Sequence, residues 1–457
     1  MDGERFMIAN DRVLNAKSVH IYAWPFELRQ EVVITSVRNS VKKRGWVRKK
    51  WNTLHPDDFM LRQYLSSSVR NVFLDEKEDA ICEVYELPIS EDLLYIINDY
   101  ELSIVGLELH LYHFGAGVLF IQTVNEGYTG IDDIRKINDY GRRICLPYLP
   151  STVDGDILCA EQLGIRNMPE DDSVKYITCF RKAIKQWHES PNMVEADVER
   201  CLTQPAEFLF HLLGCTDEQV EMTSDDRMFL VCLLRDNLLS KQIKEEYENR
   251  NAEVDTLLYQ LIYVDSGEAS CQNDKMREKL FEKSVYDRWL GWGTIYGITN
   301  YSMLCITAQD DNVTNSVVRP FVVEYTYFAS LVLMQKIGIA YFSERAGNIV
   351  EGVDKPKVIN RKQAGKLINL QEQYITFKNQ LLILEASSQE QGIEIYKMLQ
   401  GQSQIYEEES ILDGQLESLY EVTNVSSGRR IEKWGLIFAV IAIVVDVIIN
   451  VALTIWG

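Results

Sequence analysis

Three polar side chains inside an otherwise apolar run, Asp446, Asn450 and Thr454, are the residues of this chain best placed to do chemistry. With Gly435, Ala439 and Ala442 they follow steps of four, three, four, four and four, which sets all six on one helical face. An ionisable group at mid-membrane costs roughly 2.5–3.5 kcal/mol on insertion scales, so Asp446 must face protein or water rather than lipid. Two readings follow. The stripe packs identical helices together with Asp446 protonated or near the interface, or it lines a pore in which a ring of acidic side chains draws cations. The second makes Asp446 the candidate metal contact.

Away from that run, the chemistry rests on cations and aromatics. DDIRKINDYGRR reads as a helix over Asp132–Arg143 that ends on Gly141, with Arg142 and Arg143 at its C-terminal end. Two arginines there suit the helix dipole, and they also suit bidentate binding of a phosphate or carboxylate. A basic run in an acidic protein, Arg38, Lys42, Lys43, Arg44, Arg48, Lys49 and Lys50 with Trp46 and Trp51 among them, reads as a solvated face or an anion contact. Trp289 lies in YDRWLGWGTIYGITNY, where Trp289, Trp292 and Tyr296 recur at helical spacing. That spacing favours core packing, with a base-stacking pocket as the alternative. Its glycines do not form a dinucleotide fingerprint. His110 and His113 fall on opposite faces of a strand and cannot share a metal. Asp217, Glu221 and Asp225 would share a helical face, but a cap at Ser224 breaks that helix. With no P-loop, H-E-x-x-H or G-x-S-x-G, no enzyme activity is expected.

The elements that must position these groups are led by Leu436–Trp456, long enough to cross a bilayer as a helix. Arg429, Arg430 and Lys433 precede it, so the positive-inside bias keeps the N-terminal body in the cytoplasm, as a single-pass protein of the cell inner membrane. It stands at the wrong end of the chain for a signal peptide. A net charge of −21 argues against direct nucleic-acid binding, and nine dispersed cysteines without a C-x-x-C describe reduced thiols.

The chain divides into an α/β cytosolic domain at 1–200, a mainly α-helical middle at 201–350, a helical stalk at 351–433 and a transmembrane helix at 434–457. The fold class is thus an α+β membrane protein. Val19–Trp24 predicts a strand, Glu27–Asn39 a helix, and Leu102–Val124 a hairpin turning at Gly115-Ala116-Gly117. Ser224 to Arg227 reads as an N-terminal cap opening a helix over MFLVCLL, and Pro320–Ser343 as a buried core helix. Leu367, Leu370, Tyr374, Phe377, Leu381 and Leu384 mark one amphipathic stalk helix. Ser387 and Ser388 with Glu390 and Gln391 suggest a capping box for the next. Leu412, Leu416, Leu419 and Val422 carry a stripe towards the membrane. A helix from Tyr406 to Trp456 would be about 75 Å long, and stripes on stalk and span favour parallel oligomers of identical chains.

The hairpin string HFGAGVLF, with INDYGRR, DDRMF and ITFKNQLLILEASSQEQGIEIYKML, is similar to strings in divergent CorA-like proteins of bacteria. The order of parts along the whole chain resembles CorA-type divalent-cation channels. Some of that branch accompany type III CRISPR systems in antiviral defence and respond to a nucleotide messenger. The resemblance implies a homopentamer, a divalent cation such as Mg2+ as cargo, and a stalk helix continuous with the pore helix. It makes Arg142, Arg143 and Trp289 the candidate ligand contacts. The family's pore ends in an aromatic-Gly-Met-Asn motif followed by a second membrane helix, whereas this sequence stops at Trp456-Gly457. Either the chain is cut short or its pore is built from one helix per subunit, and the family's ordinary magnesium selectivity does not carry over by resemblance alone. The alternative is a tail-anchored scaffold or binding protein without transport.

Overall fold

A computed structural model describes residues 11–29, 32–78, 80–146, 159–168, 176–180, 205–223, 227–249, 251–350 and 361–421. The expected membrane helix, with Gly435, Ala439, Ala442, Asp446, Asn450 and Thr454, lies outside the described residues. The described chain forms two compact units. The first comprises 1–337 with 380–405, and the second 338–379 with 406–457.

Unit one is built on a single mixed sheet. In chain order its strands are β1 (Ser18–Leu28), β2 (Val47–Arg48), β3 (Cys82–Glu86), β4 (Leu94–Ile97), β5 (Tyr100–Tyr112), β6 (Ala116–Asn125), β7 (Gln162–Arg166), β8 (Ile177–Cys179), β9 (Val220–Met222), β10 (Phe229–Arg235), β11 (Val285–Tyr286), β12 (Ile295–Ile298) and β13 (Ser302–Thr307). Their order across the sheet is β11-β12-β13-β10-β1-β6-β5-β4-β7-β8. Off this row, β2 pairs with β3, which pairs with β5, and β9 pairs with β1. Of these pairings only β10 with β13 is parallel. Strands from both sides of residue 200 therefore share one sheet.

The expected strand at Val19–Trp24 and the hairpin are present, the latter as β5 and β6 turning at Gly115, whose φ of +102° suits a residue without a Cβ. β1 runs on to Leu28, so no helix begins at Glu27; the helix there is Ile34–Lys43. Pro25 sits inside this central strand, where a missing N–H would ordinarily break the ladder. On one side β1 pairs with β10 only as far as Ala23, and β9 takes over at Phe26, so Pro25 falls in the gap between partners.

Met228–Leu234, expected as a helix, is a strand in all but its first residue. β10 lies between β1 and β13 with every residue buried. A short run buried on both faces shows no alternation, and periodicity alone does not separate it from a core helix. Trp289, Trp292 and Tyr296 likewise do not share a helix. A short 3-10 turn, Leu290–Trp292, separates β11 from β12, and of the three residues only Tyr296 is in the core.

Both faces of the sheet are covered. Leu107, Leu109 and Leu111 of β5 and Tyr22, Trp24 and Phe26 of β1 join a core with Val37 and Val41, Ile134 and Ile137, and Phe208 to Leu213. The alternate residues of β5, Glu108, His110 and Tyr112, point to the other face and meet Tyr327 and Ser330 of the long helix Glu324–Val350. Helix 314–349 is long and apolar enough to cross a membrane, yet nearly all of its most apolar stretch is buried inside the protein. That is the behaviour of the core helix expected over Pro320–Ser343.

In unit two, Phe342 packs on Tyr374 and Phe377 at ring distances of 5.4 and 5.3 Å. Tyr374 donates to Asp413 (2.7 Å), and Lys378 pairs with Glu409 and Asp413. The expected stalk stripe is therefore largely buried within the chain: Leu367, Leu370, Tyr374 and Phe377 on helix Arg361–Leu381, and Leu412 and Leu416 on helix 405–421. Leu384 falls beyond its helix and is exposed. In unit one, the expected capping box at Ser387 is absent. Gln389 is the cap of helix Glu390–Gln402, while the Ser387 hydroxyl accepts from the Gln389 N–H and donates to Glu324. Continuation of helix 405–421 to Trp456 lies outside the described residues.

Candidate anion-binding site

The helix Ile131–Arg142 forms because Asp132 and Asp133 complement its first turn and Ile134 and Ile137 face the core. Its last turn lies hard against the sheet. A Cβ on Gly141 would stand 2.4 Å from the Tyr22 hydroxyl and 2.7 Å from Cδ1 of Ile97, so only glycine admits this approach. Tyr22 and Tyr95 donate to the carbonyls of Ile137 and Gly141 at 3.0 and 2.8 Å. Beyond them, the Met228 N–H donates to the Arg142 carbonyl (2.8 Å) and Arg143 bridges Arg227. The helix end is thereby stitched to the start of β10.

This stitching buries Arg142 to 2% exposure. Its guanidinium lies 4.9 Å over the ring of Tyr301, with that of Arg227 5.9 Å from the same ring. Asp139 is the nearby carboxylate, but it is spent elsewhere. It accepts from Arg143 Nε at 2.8 Å and from the Ser266 hydroxyl at 2.7 Å, and stands 4.0 Å from Arg142 Nε. Nε and Nη1 of Arg142 are buried without a hydrogen-bond partner. Burial, then the adjacent Arg227, lowers the Arg142 pKa to about 10 against the pull of Asp139, which leaves it charged at neutral pH.

Arg142 and Arg143 thus share Asp139, and Arg227 stands beside Arg142 over the Tyr301 ring. A buried charge without full compensation costs several kcal/mol, and polar atoms left unsatisfied inside a protein ask for a partner. The planar fork of arginine fits an oxoanion bidentately, so a phosphate or carboxylate is one group that would answer both needs, while a water would answer the second alone. Of the three ligand contacts expected, the structure brings Arg142 and Arg143 together. Trp289 precedes β12 whereas Tyr301 follows it, and Trp289 is engaged with Gln391 (2.7 Å) and stacked on Trp292 at 4.8 Å. Arg227 and Tyr301 are the residues that sequence reasoning missed. Only the placement of β10 and the β12–β13 turn beside Arg142 reveals them.

The basic run divides: Lys42, Lys43 and Lys50 are exposed, as in a solvated face, Arg44 lies over the ring of Tyr176, and the remaining cations are held by carboxylates. Arg38 and Arg48 pair with Glu83, Trp46 donates to the Leu212 carbonyl, and Lys49 is buried between Glu86 (2.9 Å) and Glu108 (2.6 Å). Glu108 also accepts from Tyr327 (2.9 Å) and bonds His110 (2.7 Å), whose other nitrogen meets Ser330 (2.6 Å). Burial alone would raise the Glu108 pKa, yet Lys49 and His110 hold it down to about 2. This closed network ties the sheet to the long helix, and in it His110 bridges Glu108 and Ser330.

Glu221 lies on β9 and pairs with Arg29, so the helical acidic face through Asp217 and Asp225 does not exist; Asp225 itself is outside the described residues. Among the described residues no group of three or more His, Cys, Asp or Glu is placed to hold a metal ion. The eight described cysteines are free thiols. Comparisons with protein-family models, with curated proteins and with solved structures find no match.

Proposed function

We propose that this chain is a CorA-like oligomeric membrane effector whose cytosolic body binds an anionic ligand at Arg142 and whose Leu436–Trp456 helices form a path for cations, magnesium among them. The observation that carries the ligand half is the buried guanidinium of Arg142, two of whose nitrogens have no hydrogen-bond partner, with Arg143 and Arg227 beside it. The polar stripe through Asp446 motivates the membrane half. A nucleotide messenger fits the first by chemistry, since its phosphates match the arginine forks. A role in antiviral defence beside a type III CRISPR system belongs to the same reading.

The test is ion release from liposomes carrying the full chain, with linear and cyclic adenylates added outside the cytosolic face. Nucleotide-dependent release is expected, with Arg142→Gln requiring at least tenfold more ligand. Liposomes that stay sealed with every nucleotide would sink the proposal. If the tail can also be exchanged for an unrelated membrane helix without loss of biological activity, the tail-anchored scaffold takes its place.

A further inference from the structure

A cavity elsewhere in the chain shares no residue with the Arg142 group. Helix Pro56–Tyr64 and helix Ser67–Phe73 meet at a corner, and a cavity of about 430 Å³ opens beside it, lined by Arg62, Arg70, Asn71, Leu74, Asp75 and Lys77. Its electrostatics are the reverse of the chain's. In a protein of net charge −21, three cations here face one carboxylate. Asp75 reaches Lys77 at 3.8 Å, and neither arginine forms an ion pair with a described residue. Arg70 uses Nη1 on the Arg62 carbonyl (2.7 Å), and the Nε of Arg62 is buried without a partner.

The corner is also rigid. Ser66 caps the second helix, its N–H donates to the Ala386 carbonyl (2.9 Å), and the Ser388 N–H donates to the Tyr64 carbonyl (2.7 Å). Arg48 spans the far wall by donating to the carbonyls of Asp75 and Lys77. Cationic side chains on a fixed frame bind without first ordering a loop, which lowers the cost of association.

We propose that this cavity binds a small phosphomonoester, the phosphate dianion held by Arg62 and Arg70 with Lys77 behind them. Its volume lies in the range of small-molecule sites. A phosphate dianion balances the excess of two positive charges, and two arginines hold its oxygens better than point charges do. Asn71 and Asp75 are left to meet hydroxyl or amine groups of the organic part, and Leu74 its apolar face. The same chemistry occurs in a soluble nucleotide and in the headgroup of phosphatidic acid.

Calorimetry on the full chain in phosphatidylcholine nanodiscs tests this, with Arg142→Gln as background so that the Arg142 group does not contribute. AMP is expected to bind saturably and adenosine not to bind. Arg62→Gln should weaken AMP at least tenfold, while Lys241→Gln, an exposed cation on helix Asn237–Glu246, should leave it unchanged. If phosphatidic acid in the disc competes AMP away, the headgroup is a ligand of the same site; if it does not, the site takes soluble phosphomonoesters alone. No saturable AMP binding, or binding indifferent to Arg62→Gln when circular dichroism shows the variant folded, would overturn the proposal.

Discussion

At the scale of single residues, the buried ionisable groups divide by whether their charge is matched. Lys49 is matched: Glu108 and Glu86 raise its pKa against the effect of burial. Lys49→Met would leave Glu108 at zero exposure with Tyr327 and His110 but without its cation, and breaking such a pair costs about 3–5 kcal/mol. Urea unfolding should show that loss, and adding Glu108→Gln should recover part of it. A single variant within about 1 kcal/mol of wild type would mean the network is not the cross-tie described.

Glu324 is the unmatched case. Burial raises its carboxyl from 4.5 to about 7, with the Ser387 hydroxyl pulling the other way. Between those values the folded protein holds a proton that the unfolded chain has released. Its contribution is therefore full below 4.5 and lost as pH rises towards 7, by roughly 3 kcal/mol. Glu108 runs opposite: its contribution is present above 4.5 and lost as pH falls towards 2. Glu324→Gln should flatten the decline in stability between pH 5 and 7; an unchanged slope would assign that decline to other groups.

At the scale of elements, what the sequence makes legible is what a local pattern determines. The β5–β6 hairpin announces itself by alternating leucines and a glycine turn, and helix Ile131–Arg142 by its acidic start and arginine end. β10 was illegible because burial on both faces erases the alternation that marks a strand. The candidate site was half legible for the same reason. Arg142 and Arg143 end a recognisable helix, whereas Arg227 and Tyr301 reach them only through the pairing of β10 with β1 and β13. No spacing in the chain encodes that. Gly141 controls how closely the helix end approaches, so Gly141→Ala should push the last turn away from Tyr22 and Ile97. Overpacking of this kind costs about 1–3 kcal/mol. The variant should unfold earlier in urea and lose ligand response with Arg142 intact; normal stability would show that the sheet yields instead.

At the scale of the whole molecule, the question is which surfaces remain to hold copies together. The stripes on helices Arg361–Leu381 and 405–421 are largely buried within one chain, so they supply little apolar surface for a coiled stalk between chains. On the proposed membrane reading, the case for self-association moves to the sequence stripe Gly435, Ala439, Ala442, Asp446, Asn450 and Thr454, where small residues would permit close approach and a carboxylate in lipid would need shelter. The full chain in detergent should then form a symmetric oligomer, while a chain ended after Glu421 should be monomeric with the same urea midpoint. Light scattering separates these outcomes. A monomeric full chain would remove the pore, and an oligomer that survives loss of the tail would place the interface in the cytosolic body. Where the oligomer holds, Asp446→Asn keeps the side chain's size and removes its charge from every copy at once. Cation preference over chloride in liposome release should fall with it, because a ring of carboxylates selects by field rather than by width.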